Sequence, residues 1–265
     1  MRILVTGGTG YLGSELCEQA LGRGLDVVAT QHQTKAPYGN AITLDVRDTD
    51  AVHRAFLRTG PDVVVHTAYV LDGPDLHDVV VRGTCNVAEA AARIGARLIH
   101  LSTDLVFDGA GGAPYREADD PRPVLDYGAA KAEAERLVAE LAPEAVIVRT
   151  SLLYGRPGGA QERLAARDDV AFYEDEIRSP TRVDELASAL LELAELDVSG
   201  PLHVAGPDAV SRLEFARFLR GGDASSLRFA PTPPGRPRDV ALDSAKAAGI
   251  LKTRLSGLSD VGRSA

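Results

Sequence analysis

Short apolar runs alternate with amphipathic stretches through the first 150 residues. Ile3-Leu4-Val5, Val27-Val28-Ala29, Val63-Val64-Val65, Leu98-Ile99 and Val146-Ile147-Val148 are strand-sized and continuous rather than alternating with polar residues. Such runs mark strands buried on both faces. The pattern predicts strands over 2–5, 26–30, 41–44, 62–66, 97–102 and 145–150, with helices over 12–23, 49–59, 78–94 and 127–140. Strand–helix alternation with right-handed crossovers gives an α/β fold, a doubly wound parallel sheet covered on both faces. Beyond Gly155 the rhythm breaks. Gly158-Gly159 and the charged stretch 167–178 read as an irregular cap. Helices over 183–196 and 212–220 flank one more strand over 202–205. A proline-rich stretch, 231–237, then precedes a short helix from Ser244. The expected organisation is a large domain over 1–155, with 181–205 threaded back onto it. Residues 156–180 and 206–265 then form a small loop-rich lobe.

Composition narrows the setting. The longest apolar runs are far too short to span a bilayer, and Met1 leads directly into a strand without a charged-then-apolar leader, so the cytoplasm is the expected location. Twenty-nine basic against 38 acidic residues give a formal charge of −9, which repels nucleic acid and anionic membranes and removes both as expected partners. Cys17 and Cys85 have no metal-ligand spacing and suggest no disulfide framework; buried, inert thiols are expected, and no metal.

Candidate chemistry begins at Thr6-Gly7-Gly8-Thr9-Gly10-Tyr11-Leu12-Gly13, between the first strand and the first helix. Gly7, Gly10 and Gly13 are spaced for a tight turn, a backbone open to a pyrophosphate, and close helix–strand packing. The helix N-terminus adds free N–H groups and a partial positive charge. In its strand–turn–helix setting the motif predicts a Rossmann-type dinucleotide site. An acid at the end of the second strand would select the ribose 2′-hydroxyl of NAD. That end reads Ala29-Thr30-Gln31-His32-Gln33-Thr34-Lys35 and has none. His32 and Lys35 suit a 2′-phosphate, so NADP(H) is expected over NAD(H).

Tyr127-Gly128-Ala129-Ala130-Lys131 places a tyrosine and a lysine one turn apart on a helix. A phenol titrates near ~10, and a neighbouring ammonium favours its ionised form, making it a usable acid–base group at neutral pH. Ser102-Thr103-Asp104 closes the fifth strand at its C-terminal end, where ligands bind in open α/β sheets.

These residues together resemble the extended short-chain dehydrogenase/reductase superfamily, and within it the dTDP-4-dehydrorhamnose reductase-like family of sugar-nucleotide reductases. The similarity runs through the glycine loop, 44–48, 61–69, Ser102-Thr103-Asp104-Leu105-Val106-Phe107-Asp108-Gly109, 114–131, Arg149-Thr150-Ser151, Ser179-Pro180-Thr181, 203–206 and 236–240. It implies Thr103, Tyr127 and Lys131 as the catalytic set. For the cofactor it implies Gly7, Thr9, Gly10, Tyr11, Leu12, Gly13, Gln31, His32, Asp45, Val46, His66, Thr67 and Ala68 together with Tyr127 and Lys131. Asp104, Leu105, Leu152 and Arg182 are implied around the substrate, a nucleotide sugar, and a homodimer is compatible with the family. The chain departs from the pattern where the family usually has a tyrosine (Leu105), a tryptophan (Leu152) and an asparagine (Val80), and it contains no Trp. These departures leave the sugar open. Two other readings stay open: an epimerase of the same fold, and a dinucleotide-binding regulatory subunit similar to that of methionine adenosyltransferase. A dehydratase would need a second carboxylate after Asp104, where this chain has Leu105.

Overall fold

The computed structural model describes residues 1–38, 40–112, 114–221 and 224–261. The first half of the chain forms β1 (Arg2–Thr6), α1 (Tyr11–Gly22), β2 (Asp26–Gln31), β3 (Ala41–Thr43), α2 (Thr49–Thr59) and β4 (Val63–His66). A π-helical stretch, Asp78–Arg82, leads into α3 (Gly83–Ile94), followed by β5 (Arg97–Thr103), α4 (Asp126–Leu141) and β6 (Val146–Thr150). Next come β7 (Leu153–Tyr154), α5 (Ala160–Ala165), β8 (Ala171–Tyr173), β9 (Ile177–Arg178), β10 (Thr181–Arg182) and α6 (Val183–Leu193). The chain closes with β11 (Gly200–His203), β12 (Val210–Ser211), α7 (Arg212–Arg220), β13 (Arg228–Ala230), α8 (Ala245–Ile250) and α9 (Leu258–Val261).

A seven-stranded sheet runs in the order β11-β6-β5-β4-β1-β2-β3. Pairings across β3, β2, β1, β4 and β5 are parallel, with Ile3 opposite both Val27 and Val63. The chain winds outward from β1 to β3, then returns to the other side of β1 at β4. That reversal opens a crevice beyond the C-terminal ends of β1 and β4, the place where doubly wound sheets bind ligands. The doubly wound α/β fold expected from the sequence is the fold observed.

Two compact units share the chain. The first comprises Met1–Ser102, Ala129–Val148 and Ala187–Pro201. Leu4, Val64 and Leu98 from the strands pack with Phe56 of α2, Val87 of α3 and Val138 of α4, which is why these strands read as unbroken apolar runs. The second comprises Thr103–Gly128, Arg149–Leu186 and Leu202–Ala265. Three two-stranded pairs, β7 with β10, β9 with β12 and β8 with β13, give it its framework. One core gathers Leu152, Tyr154 and Phe215, and another Phe172, Leu213 and Leu227. Helix α7 opens with a capping box, Ser211 accepting from the Glu214 N–H while Glu214 accepts from the Ser211 N–H.

The structure differs from the sequence expectation in several places. The stretch read as an irregular cap carries α5, β8 and β9, elements too short for periodicity to reveal. The helix expected over 78–94 starts with i→i+5 bonding. Thr103–Gly128 and 149–155, expected in the large domain, group with the second unit, as do 181–186 and 202–205 of the segment expected to thread back.

Candidate active site

Gly7 leaves β1 with φ +68°, the left-handed region that favours glycine. The turn is fixed by the Gly10 N–H donating to the Gly7 carbonyl at 2.9 Å and the Gly8 N–H donating to the Thr30 carbonyl at 3.0 Å. A Cβ on Gly13 would lie 2.2 Å from the Gly7 carbonyl oxygen, so α1 approaches the turn only because that atom is missing. Gly10 caps α1 without a side-chain hydrogen bond, and the first turn holds no acid. The leading N–H groups of α1 therefore face outward with a partial positive charge. This cradle fits the pyrophosphate of a dinucleotide.

A groove of about 340 Å³ continues from the turn, lined by Gly7, Thr9, Gly10, His32, Asp45, Val46, Arg47, Thr67 and Ala68 among others. Eight of the residues implied for the cofactor are on that wall; Tyr11, Leu12, Gly13 and Gln31 are not. Leu12 is buried, and Gln31 is turned to Thr43 and the Ala36 N–H. Lys35 is not on the wall either; the cation missed by sequence reading is Arg47. Its guanidinium grips Asp45 at 2.8–3.0 Å and reaches Asp75 at 3.1 Å. The Arg47 hydrogen bonds hold the Asp45 carboxyl below the usual carboxylate range. An arginine two residues after the Asp45 position is the signal that was available.

His66 is not a groove contact but a buried peg. Thr84 sends its proton to the Val80 carbonyl, so its oxygen accepts from His66 Nε2 at 3.0 Å. Thr6 Oγ1 accepts from the Thr67 and Ala68 N–H groups and gives its own proton to His66 Nδ1 at 2.7 Å. The ring is thus the neutral Nε2–H tautomer, and burial, reinforced by the Lys131 charge, pushes its pKa down to about 3. It ties the ends of β1 and β4 together. His100 stacks on it at 5.5 Å and is likewise kept neutral by burial.

Lys131 sits one turn beyond Tyr127 on α4, 4% exposed, and its Nζ donates to the Leu101 carbonyl at 2.7 Å. Burial lowers its pKa to about 8, against the opposing pull of Glu135, which also accepts from Ser102 Oγ. Tyr127 is half-buried in the first turn of the helix. In the second unit, Thr103 ends β5 with its side chain capping the short turn that follows.

The residues implied around the substrate are placed unequally. Leu105 is half-buried and lies two residues beyond Thr103. The Asp104 carboxylate is fully buried and paired with Arg178, so it faces no substrate. Leu152 lies in the core with Tyr154 and Phe215, and Arg182 pairs with Asp184 at 2.7 Å. The Asp104–Arg178 pair joins residues 74 apart, and nothing local in the sequence announces it.

Comparison with known proteins bears on the same residues. The family model described as RmlD substrate binding domain matches residues 1–256. This chain belongs to the RmlD substrate binding domain family. The family likeness reaches over both units, from the glycine turn to α8. Among curated relatives, the dTDP-4-dehydrorhamnose reductase of Mycobacterium tuberculosis is 37% identical over 277 residues, spanning 97% of this chain and 88% of its own. The methionine adenosyltransferase 2 subunit beta of Bos taurus is 32% identical over 273 residues, spanning 92% and 81%. A solved dTDP-4-dehydrorhamnose reductase from Bacillus anthracis, in complex with NADP, superposes with a TM-score of 0.83 at 25% identity, covering 98% and 96%. No helix among the described residues of this RmlD-family chain is long and apolar enough to cross a membrane.

Proposed function

We propose that the chain is an NADPH-dependent reductase of a keto group on a sugar nucleotide. The observation that carries the reading is a buried ammonium fixed on a strand carbonyl, one helical turn beyond Tyr127. A reduced nicotinamide, when bound along the groove, supplies hydride to the carbonyl carbon. The chain's own residues do the rest. The glycine turn and the α1 N-terminus receive the pyrophosphate. Arg47 brings a guanidinium to the groove wall beside His32, which favours a 2′-phosphate over a bare ribose. Tyr127 gives its proton to the substrate oxygen as charge develops there, and Lys131 supports the phenolate left behind. Thr103 stands at the strand end beside the reacting oxygen. A formal charge of −9 fits an enzyme that acts in the cytoplasm on a small diffusible substrate.

The test is NADPH oxidation against a panel of nucleotide-linked 4-keto sugars, with Tyr127→Phe as control. Turnover should fall by roughly 10²–10⁴-fold in the variant while cofactor affinity holds. A Tyr127→Phe protein reducing a confirmed substrate at the wild-type rate would refute the assignment. The likeness to the methionine adenosyltransferase subunit supports a second reading, a cofactor-bound regulatory subunit. That reading takes over if no keto sugar is reduced and a partner enzyme binds tightly.

A further inference from the structure

Three arginines of the second unit, Arg178, Arg212 and Arg236, are drawn together by adjacent stretches of extended chain. In the β9–β12 pair Val210 lies opposite Arg178 and Ser211 opposite Ile177. The Arg212 N–H donates to the Glu176 carbonyl at 2.9 Å, so the register continues one residue into α7. Alternate positions of paired strands face the same way, which sets Arg212 on the face of Glu176 and Arg178. On the other side of β9 the Ile177 N–H donates to the Arg238 carbonyl at 2.6 Å, and Arg236 reaches Glu176 at 3.0 Å.

The carboxylates of this cluster are already taken. Arg178 gives Nε and Nη2 to Asp104 and Nη1 to Glu176, while Arg236 gives Nε and Nη2 to Glu176. Among the described residues, no group accepts from the Arg212 guanidinium. Its surroundings all disfavour the charge. Arg212 opens α7, at the positive end of the helix. Burial, then the Arg178 charge, lowers its pKa to about 10; Arg236 adds to the fall, and Glu176 and Asp104 oppose it. The residue is half-buried and its nitrogens are not sealed, so a solute can reach them.

We propose that Arg212 is a binding residue for the diphosphate of the nucleotide-sugar substrate. The proposal rests on the reductase reading, in which the sugar is joined to its nucleoside through two phosphates. A planar guanidinium fork matches a pair of phosphate oxygens. The diphosphate's negative charge supplies the counter-ion that the protein withholds, in a half-buried place where a charged contact is stronger than in open water. The free protein thus keeps a cation in an unfavourable position, and the substrate relieves it.

Arg212→Met keeps an apolar stem and removes the charge. NADPH-saturated protein is titrated calorimetrically with dTDP and with UDP, in wild type, Arg212→Met and Arg212→Lys. Arg212→Met should weaken both diphosphates by about 10–100-fold, the worth of a charge-assisted hydrogen bond. Arg212→Lys should recover part of the loss, and NADPH affinity should hold in both variants. Without nucleotide, Arg212→Met should unfold at the wild-type urea concentration or above it, because the lost charge had no partner. Unchanged diphosphate affinity overturns the proposal, and so does a variant less stable than wild type, the mark of a merely structural arginine. If the diphosphates bind through Arg212 but no nucleotide-linked keto sugar is reduced, the anion site stands and the reductase reading fails. If Arg212→Met reduces such a sugar with the wild-type KM, the reading stands and the proposal fails.

Discussion

In the glycine turn the working groups are backbone N–H donors and the side chains are missing. In the Asp104 cluster the groups that hold the central carboxylate are side chains, and it is sealed from water. The turn needs no charged residue, because the helix end carries its own partial charge and a ligand can reach it. The cluster instead gathers Asp104, Glu176, Arg178 and Arg236, where each charge is tolerable only because its neighbour is present. An open site is built by deletion of atoms, a sealed one by mutual dependence.

That contrast predicts how each region fails. The largest effect belongs to the cluster. Arg178→Met strands Asp104 as a buried anion, leaves Glu176 with Arg236 alone, and should cost roughly 3–5 kcal/mol of stability, read by urea denaturation. Replacing Asp104 with Asn in the same chain should recover part of that loss; no recovery would deny the mutual dependence. For the turn, Gly13→Ala places a methyl against the Gly7 carbonyl and should weaken NADPH binding by about 100-fold, or about 2.7 kcal/mol, in calorimetry. Unchanged affinity would remove the pyrophosphate from this turn.

A smaller effect follows from Lys131. Burial lowers its pKa, so the ammonium that supports Tyr127 is fully present below about pH 8 and lost as pH rises through it. Reduction rate should therefore decline on that alkaline limb, about tenfold per unit once well past it. Lys131→Arg, charged throughout, should move the limb upward, and an unmoved limb would assign it to another group. Least of all, Arg47→Ala should reduce the preference for NADPH over NADH by several-fold, on the order of 1 kcal/mol for a partly exposed charge. Equal titrations of both cofactors in wild type and variant would clear Arg47 of that role.

The two regions were also unequally legible in the sequence. The glycine turn could be read because its geometry is local: three glycines, one strand and one helix within 13 residues. Tyr127 and Lys131 were legible for the same reason, four residues apart on one helix. His66, implied for the cofactor, is buried instead: an apolar run ending in histidine fits a buried peg as well as a wall residue, and Thr6 and Thr84 hold it as a peg. The burial of Asp104 is not legible in the sequence because its partner Arg178 is distant in the chain. Short elements such as β8 and β13 pair with each other across more than 50 residues and carry no periodic signature.

The π-helical stretch before α3 acts as a spacer with one residue to spare. An α-helical turn advances 3.6 residues, whereas i→i+5 bonding spends an extra one and rotates everything downstream by about 100°. Gly83, the first residue after it, is the position where a Cβ would meet the Val46 side chain at 2.6 Å. The surplus residue thus sets Gly83 against Val46, a residue of the groove wall. Deleting a single residue from Val79–Val81 would keep the helix but turn Thr84 toward Val46. Length here is itself an instruction, and in this segment an indel is a heavier change than most substitutions.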